Sequence, residues 1–98
     1  MADDIRVKFS FRNNRKHKRL HRLIGVGATY YLINLWIATA EAHPDGCLNG
    51  WDETDIADAC DWHDSPDKLV SALLECQWIE QQDGHYVLHD WEEHQGWV

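Results

Sequence analysis

The sequence has no run of apolar residues long enough to cross a membrane. Its longest apolar stretch, residues 28–40, is interrupted by Thr29, Asn34 and Thr39. No apolar run follows the acidic start at residues 1–4 either, so the pattern of a secretory signal peptide is missing. We therefore expect a cytoplasmic protein that does not enter a membrane.

Cysteine is scarce, with three residues at irregular spacing. An odd, irregular set is typical of reduced thiols inside a cell and not of a disulfide framework, so we expect Cys47, Cys60 and Cys76 to pack as small apolar side chains. Two of them lie near histidines, in His43-x3-Cys47 and Cys60-x2-His63, a spacing that zinc ligands also use. We expect no cofactor and no metal, with a small zinc-stabilised module as a minor alternative.

Signatures of catalysis are also missing. The chain has no glycine-rich phosphate loop, and no serine or cysteine lies in a recognisable nucleophile motif. Its 17 acidic residues offer many carboxylates, but nothing in the sequence pairs two of them across a cleft, as acid–base catalysis requires. We expect a binding protein that is not an enzyme.

Basic residues are almost absent beyond residue 22, where Lys68 stands alone. The other eight of the nine bases are Arg6, Lys8, Arg12, Arg15, Lys16, Lys18, Arg19 and Arg22. Eight bases against two acids give residues 1–22 a net charge of +6, and one base against fifteen acids gives the remainder −14. This asymmetry indicates that a polyanion binds the N-terminal part, while the rest repels nucleic acid or engages a basic protein.

The basic residues fall mainly on a predicted first helix. Residues 1–12 alternate between apolar and polar side chains, which predicts a short strand or arm. A helix follows, capped by Asn13 or Asn14 and ended by Gly25 and Gly27. Its bases recur at i, i+3, i+4 and i+7 and so form one stripe: Arg15, Lys18, Arg19 and Arg22.

Three more helices are predicted. Residues 28–41 are apolar nearly all round, which indicates a central helix buried on most sides. Residues 47–51 form a short strand, and Asp52 or Thr54 then begins a brief third helix. Ser65-Pro66 begins the fourth, because proline is favoured at the first helical position.

A hairpin follows the fourth helix directly. Residues 78–81 and 85–89 are strand-like, and Asp83-Gly84 between them suits a tight turn. The order predicts an α+β, mainly α fold: one winged helix-turn-helix domain over residues 1–98, with the hairpin as the wing. Residues 90–98 form a C-terminal tail that lays Trp91 on the body.

Five of the six tryptophans divide into two predicted groups. We expect Trp36 and Trp78 to lie in the core. Trp62, Trp91 and Trp97 are candidates for a protein interface, where tryptophan is enriched, and packing in the core is the alternative for each.

Four segments carry a resemblance to a known family. They are NRKHKRL (14–20), YLINLW (31–36), DIA (55–57) and LHDWEEHQ (88–95). Over about residues 5–95 the chain resembles the N-terminal winged-helix domain of phage replisome organisers and DnaD-like primosomal proteins. The resemblance implies a role in initiating DNA replication, with DNA, replication proteins and further copies of the chain as partners.

The predicted recognition helix departs from a DNA-reading pattern. It exposes Lys68 and Ser71 beside Asp67 and Glu75, and the wing tip carries Asp83. Acids there oppose the phosphate contacts that supply most of the affinity for DNA. The predicted DNA-binding residues are therefore Arg12, Arg15, Lys16, Lys18, Arg19 and Arg22, with Lys68 added from the fourth helix. The alternative is a protein-interaction module without DNA binding, whose acidic helices dock a basic partner.

Overall fold

A computed structural model of the protein describes residues 15–89 and residue 91. The fold is α+β and mainly helical. Its elements are α1 (Arg15–Ile24), α2 (Ala28–Ala42), β1 (Cys47–Leu48), α3 (Glu53–Cys60), α4 (Pro66–Glu75), β2 (Ile79–Gln82) and β3 (His85–Leu88). The predicted arm over residues 1–12, the caps Asn13 and Asn14, and most of the tail lie outside the described residues.

The first two helices form a bent pair, with 109° between their axes. Gly25 ends α1 with φ at 95°, a left-handed conformation that glycine adopts without steric cost. No single helix among the described residues has both the length and the apolar content of a membrane span, and only α1 and α2 taken together reach them.

Helix α2 occupies the centre but is less enclosed than its composition predicts. Leu32, Leu35 and Trp36 are at most 1% exposed. On the other side of the helix, Tyr30 is 54% exposed and Ile37 is 44% exposed. Helices α1 and α3 pack directly against α2 and leave a stripe of it open.

The predicted starts of α3 and α4 are confirmed. Asp52 caps α3 through a reciprocal pair of bonds, in which its backbone N–H donates to Asp55 Oδ2 at 3.0 Å and the Asp55 N–H donates to Asp52 Oδ1 at 2.9 Å. Such a capping box satisfies two backbone donors that a helix start otherwise leaves open. Helix α4 begins at Pro66, directly after Ser65.

Helices α3 and α4 end in the same way, at Cys60-Asp61-Trp62 and Cys76-Gln77-Trp78. Asp61 and Gln77 both have φ at 63°. In each case the N–H of the following tryptophan donates at 2.9 Å to the carbonyl five residues earlier, which closes the helix with a Schellman turn. Each turn directs the tryptophan inward, so that Trp62 is 8% exposed and Trp78 is 3% exposed.

The three strands form an antiparallel sheet in the order β1-β3-β2. The predicted hairpin is confirmed, with Ile79 opposite Leu88 and Gln82 opposite His85. Asp83 and Gly84 have φ at 51° and 83°, the pair of positive values that a two-residue hairpin turn requires. Strand β1 covers only Cys47–Leu48, so it is shorter than predicted.

Candidate nucleic-acid interface

Helix α1 packs on α2 and α4 through its apolar side. Leu20 is fully buried, and Ile24 packs against the same core. Because a helix presents a new direction every 100°, burying this side turns the opposite side toward solvent. Arg15, Lys18, Arg19 and Arg22 are all exposed there, which confirms the predicted basic stripe for the side chains described.

A groove of about 470 Å³ lies between α1 and the end of α4. It is lined by Arg15, Lys16, Lys18, Arg19, Arg22, Glu75, Cys76 and Gln77. We call it the basic groove. Five of its lining side chains are cationic and one is acidic, so this concavity attracts anions although the chain as a whole carries a net charge of −8.

Trp78 holds one wall of the basic groove in place. Its indole Nε1–H donates to the Lys16 carbonyl oxygen at 3.2 Å, and Lys16 Nζ lies 4.4 Å from the centre of a Trp78 ring. A cation over an indole face is attracted by about 0.5–1 kcal/mol at a partly exposed site. Trp78 also packs against Trp36, with ring centres 6.0 Å apart, so α1 is tied to the core beside β2.

The single acid of the groove faces one of its arginines. Glu75 Oε1 lies 3.8 Å from an Arg19 guanidinium nitrogen, and both side chains are more than half exposed. Exposed ion pairs contribute little to stability, about 0–1 kcal/mol. The pair mainly lowers the net positive charge of the basic groove and leaves Arg19 accessible to solvent.

The side of α1 that faces α2 carries histidines. His17 Nε2 hydrogen-bonds the Thr29 hydroxyl at 2.5 Å. Partial burial, and then the charge of His21, lower the pKa of His17. A shallow concavity of about 340 Å³ lies here, lined by His17, Lys18, His21 and Arg22. Lys18 and Arg22 therefore line both this concavity and the basic groove.

Two of the predicted DNA-binding residues are not seen in the basic groove. Arg12 lies outside the described residues. Lys68 is on α4, where its Nζ lies 3.9 Å from Asp64 Oδ2 and 6.0 Å from the centre of a Trp62 ring. As predicted, Asp67, Lys68, Ser71 and Glu75 are all exposed on α4.

The described interface candidates among the tryptophans are buried. The Trp62 Nε1–H donates to the Ser65 carbonyl at 2.9 Å, and its ring meets Tyr31 edge to face at 5.1 Å. Trp91 is 5% exposed, and its Nε1–H donates to the Pro44 carbonyl at 2.7 Å. Burial favours the core-packing alternative for Trp62 and Trp91 over an exposed partner contact. Trp97 lies outside the described residues.

The residues of the zinc alternative do not converge. Cys60 is fully buried, and burial raises the pKa of its thiol to about 12, whereas the His63 side chain is 85% exposed. Across residues 15–89 and 91, no three histidine, cysteine or carboxylate side chains are placed to hold a metal ion. His43 and Cys47 therefore do not complete a site with Cys60 and His63.

Sequence reasoning missed a polar cluster at the end of α3. The Tyr30 hydroxyl donates to Asp61 Oδ2 at 2.7 Å, and His63 Nε2 lies 3.0 Å from Asp61 Oδ1. The hydrogen bond raises the pKa of Tyr30 and lowers the pKa of Asp61. Tyr30 and Asp61 are 31 residues apart in sequence, so no local pattern pairs them. The groove residues Glu75 and Gln77 were missed for the same reason.

Comparison of the chain with protein families, curated proteins and solved structures gives no match. The basic groove and the fold around it are therefore the basis for assigning a function.

Proposed function

We propose that the chain binds DNA through the basic groove, by contact with the phosphate backbone. The observation that carries this proposal is the gathering of five cationic side chains around one groove on a chain that is otherwise acidic. Lysine and arginine bind DNA largely by releasing the counterions condensed on its phosphates, and the stripe on α1 is exposed for this contact.

The dimensions of α1 suit one DNA strand. Ten helical residues span about 15 Å at 1.5 Å per residue. Successive phosphates of one strand rise by about 3.4 Å along the duplex axis, so a helix of this length extends over about four base-pair steps. Phosphate contacts position a protein on DNA without reading bases, and we expect little sequence preference.

We further propose that the domain is a winged helix of the phage replisome-organiser or DnaD-like type, acting in the cytoplasm in the initiation of DNA replication. The element order supports this, because α3 and α4 are followed at once by the β2–β3 hairpin, as in winged helix-turn-helix domains. In this proposal the chain binds without catalysing a reaction, and it associates with itself and with other replication proteins.

A titration with matched charge reversals tests the groove. A short fluorescent DNA duplex is titrated at low salt with the wild type, with the double variant Arg19→Glu/Arg22→Glu, and with Lys68→Glu on α4. Because each lost phosphate contact weakens binding irrespective of sequence, we expect about tenfold or greater loss for the double variant and less than about threefold for Lys68→Glu. A larger loss for Lys68→Glu would place the DNA on α4 instead.

One observation favours a second function. The exposed face of α4 offers Asp67 and Glu75, and Asp83 lies exposed at the tip of the hairpin. These carboxylates suit a basic partner protein and oppose DNA. If the wild type fails to bind any duplex or single strand even at low salt, the protein-interaction module is the better assignment.

A further inference from the structure

Helix α2 leaves an apolar stripe uncovered. Tyr30 and Ile37 lie seven residues apart and therefore on one face, and they are 54% and 44% exposed. Ile33 lies at the edge of this face and is partly buried. Val26, in the turn before α2, is 91% exposed. We call Tyr30, Ile33 and Ile37 the α2 stripe.

The α2 stripe runs between a basic flank and an acidic flank. On one side α1 packs against α2, where His17 bonds Thr29. On the other side lies the end of α3, because the Asn34 side-chain amide donates to the Cys60 carbonyl at 3.3 Å. At 100° per residue, Thr29 and Asn34 fall on opposite sides of Tyr30.

The charges of the two flanks are opposite in sign. The α1 flank carries Lys18 and Arg22 beside the 340 Å³ concavity. The α3 flank carries the exposed carboxylates Asp58 and Asp61. Read across the surface, the order is cationic, apolar and anionic.

A surface with this order is complementary to itself. Two copies related by a two-fold axis along α2 place the basic flank of each opposite the acidic flank of the other, and the two α2 stripes meet in the centre. A two-fold axis across α2 instead sets basic flank against basic flank, which costs energy through like-charge repulsion.

We propose that a second copy of this chain docks on the α2 stripe with α1 of each copy over the end of α3 of the other. This inference rests on the self-association included in the proposed function and names its surface. The basic groove opens toward α4, so docking leaves Arg15, Lys16 and Arg19 free. Lys18 and Arg22 line both concavities and therefore also face the partner copy. A dimer therefore presents two grooves, which strengthens binding to one long DNA by avidity.

The interface is small and the dimer is weak. Three apolar side chains and two charged flanks fall at the low end of interface sizes, below about 1,200 Å² in total. Such contacts give dissociation constants of about 10 µM to 1 mM. We expect the copies to separate when the protein is diluted and to associate when it is concentrated.

Sedimentation equilibrium of the full chain without DNA, from about 5 to 500 µM, tests the docking surface. The variants are Ile37→Glu in the α2 stripe and Leu23→Glu as the matched control, since Leu23 on α1 has a similar exposure of 40% and lies on the α4 side of that helix. We expect the average mass of the wild type and of Leu23→Glu to rise with concentration toward that of two copies, and Ile37→Glu to remain single. Circular dichroism confirms that each variant is folded.

Charge reversal tests the orientation. Lys18→Glu and Asp58→Lys each set like charges against each other in their own dimers, so we expect each variant alone to associate less than the wild type. Mixed together, the two variants pair opposite charges on both flanks, and we expect the mass of two copies to return. A wild type that stays single throughout, a dimer that survives Ile37→Glu, or a mixture that fails to associate would overturn the proposal. Because no DNA is present, each of these results is independent of the groove titration.

Discussion

Replacing Gly46 with alanine tests whether Trp91 packs in the core. Gly46 has φ at 81°, and a Cβ added there would lie 2.7 Å from both Cγ and Cδ1 of Trp91. Gly50 provides a matched control, because its φ is 88° and no described atom comes within 4 Å of an added Cβ. Both variants place a Cβ on a residue with positive φ, which costs free energy of folding. Only Gly46→Ala adds a steric clash with Trp91.

The expected losses follow from these distances. A left-handed residue with a Cβ costs about 1–2 kcal/mol, so Gly50→Ala should lower the free energy of unfolding by about 1 kcal/mol. At Gly46 the displaced indole adds an overpacking cost of about 1–3 kcal/mol, for a total of about 2–4 kcal/mol. In a domain of this size 1 kcal/mol shifts Tm by about 4–8 °C, so a loss of about 2–4 kcal/mol should make Gly46→Ala melt about 8–32 °C below the wild type.

Thermal unfolding followed by circular dichroism and by tryptophan fluorescence measures both variants. If Gly46→Ala and Gly50→Ala prove equally stable, Trp91 does not lie over Gly46, and its burial against the turn that precedes β1 is refuted.

Four further predictions concern helix ends and thiols. Gln77→Gly should raise the free energy of unfolding by up to about 1 kcal/mol in urea titrations, because φ is 63° at this position and glycine avoids the Cβ clash; a loss would contradict the Schellman turn. Asp52→Ala should cost about 0.5–2 kcal/mol in the same assay by removing the cap of α3, and an unchanged midpoint would refute the capping box. Half-buried Cys47 should react with iodoacetamide before buried Cys60, as mass spectrometry of the alkylated chain would show. Burial raises the pKa of Cys60 from 9.0 to about 12, so between these pH values the thiol ionises in the unfolded chain before it ionises in the folded one. The contribution of Cys60 to the free energy of unfolding in urea titrations should therefore be constant below pH 9 and decline from there toward pH 12, and a rise of this contribution over that range would contradict burial.

Much of the fold follows from local sequence signals. The helix starts at Asp52 and Ser65-Pro66 and the hairpin turn at Asp83-Gly84 each depend on residues a few positions apart, and the structure confirms all three. The basic stripe on α1 is equally local. Signals of this kind reflect backbone geometry, which neighbouring residues control directly.

The rest depends on contacts between distant residues. The wall that Glu75 adds to the basic groove arises only when α4 packs beside α1, and the open stripe on α2 arises because the other elements cover only one of its sides. The repeated Cys-x-Trp at the ends of α3 and α4 was a usable signal for Trp62. A tryptophan that follows the left-handed residue of a Schellman turn packs back on its own helix, so Trp62 belonged with Trp78 in the core.

The salt dependence of DNA binding measures how many phosphates the basic groove neutralises. If Arg15, Lys18, Arg19 and Arg22 each neutralise a phosphate, the logarithm of the association constant should fall with the logarithm of salt concentration at a slope of about −3.6. Between 50 and 200 mM salt the affinity for duplex DNA should then decrease by about 150-fold. A slope near zero, or a slope unchanged by Arg19→Glu/Arg22→Glu, would contradict the assignment of the basic groove as the DNA-binding surface.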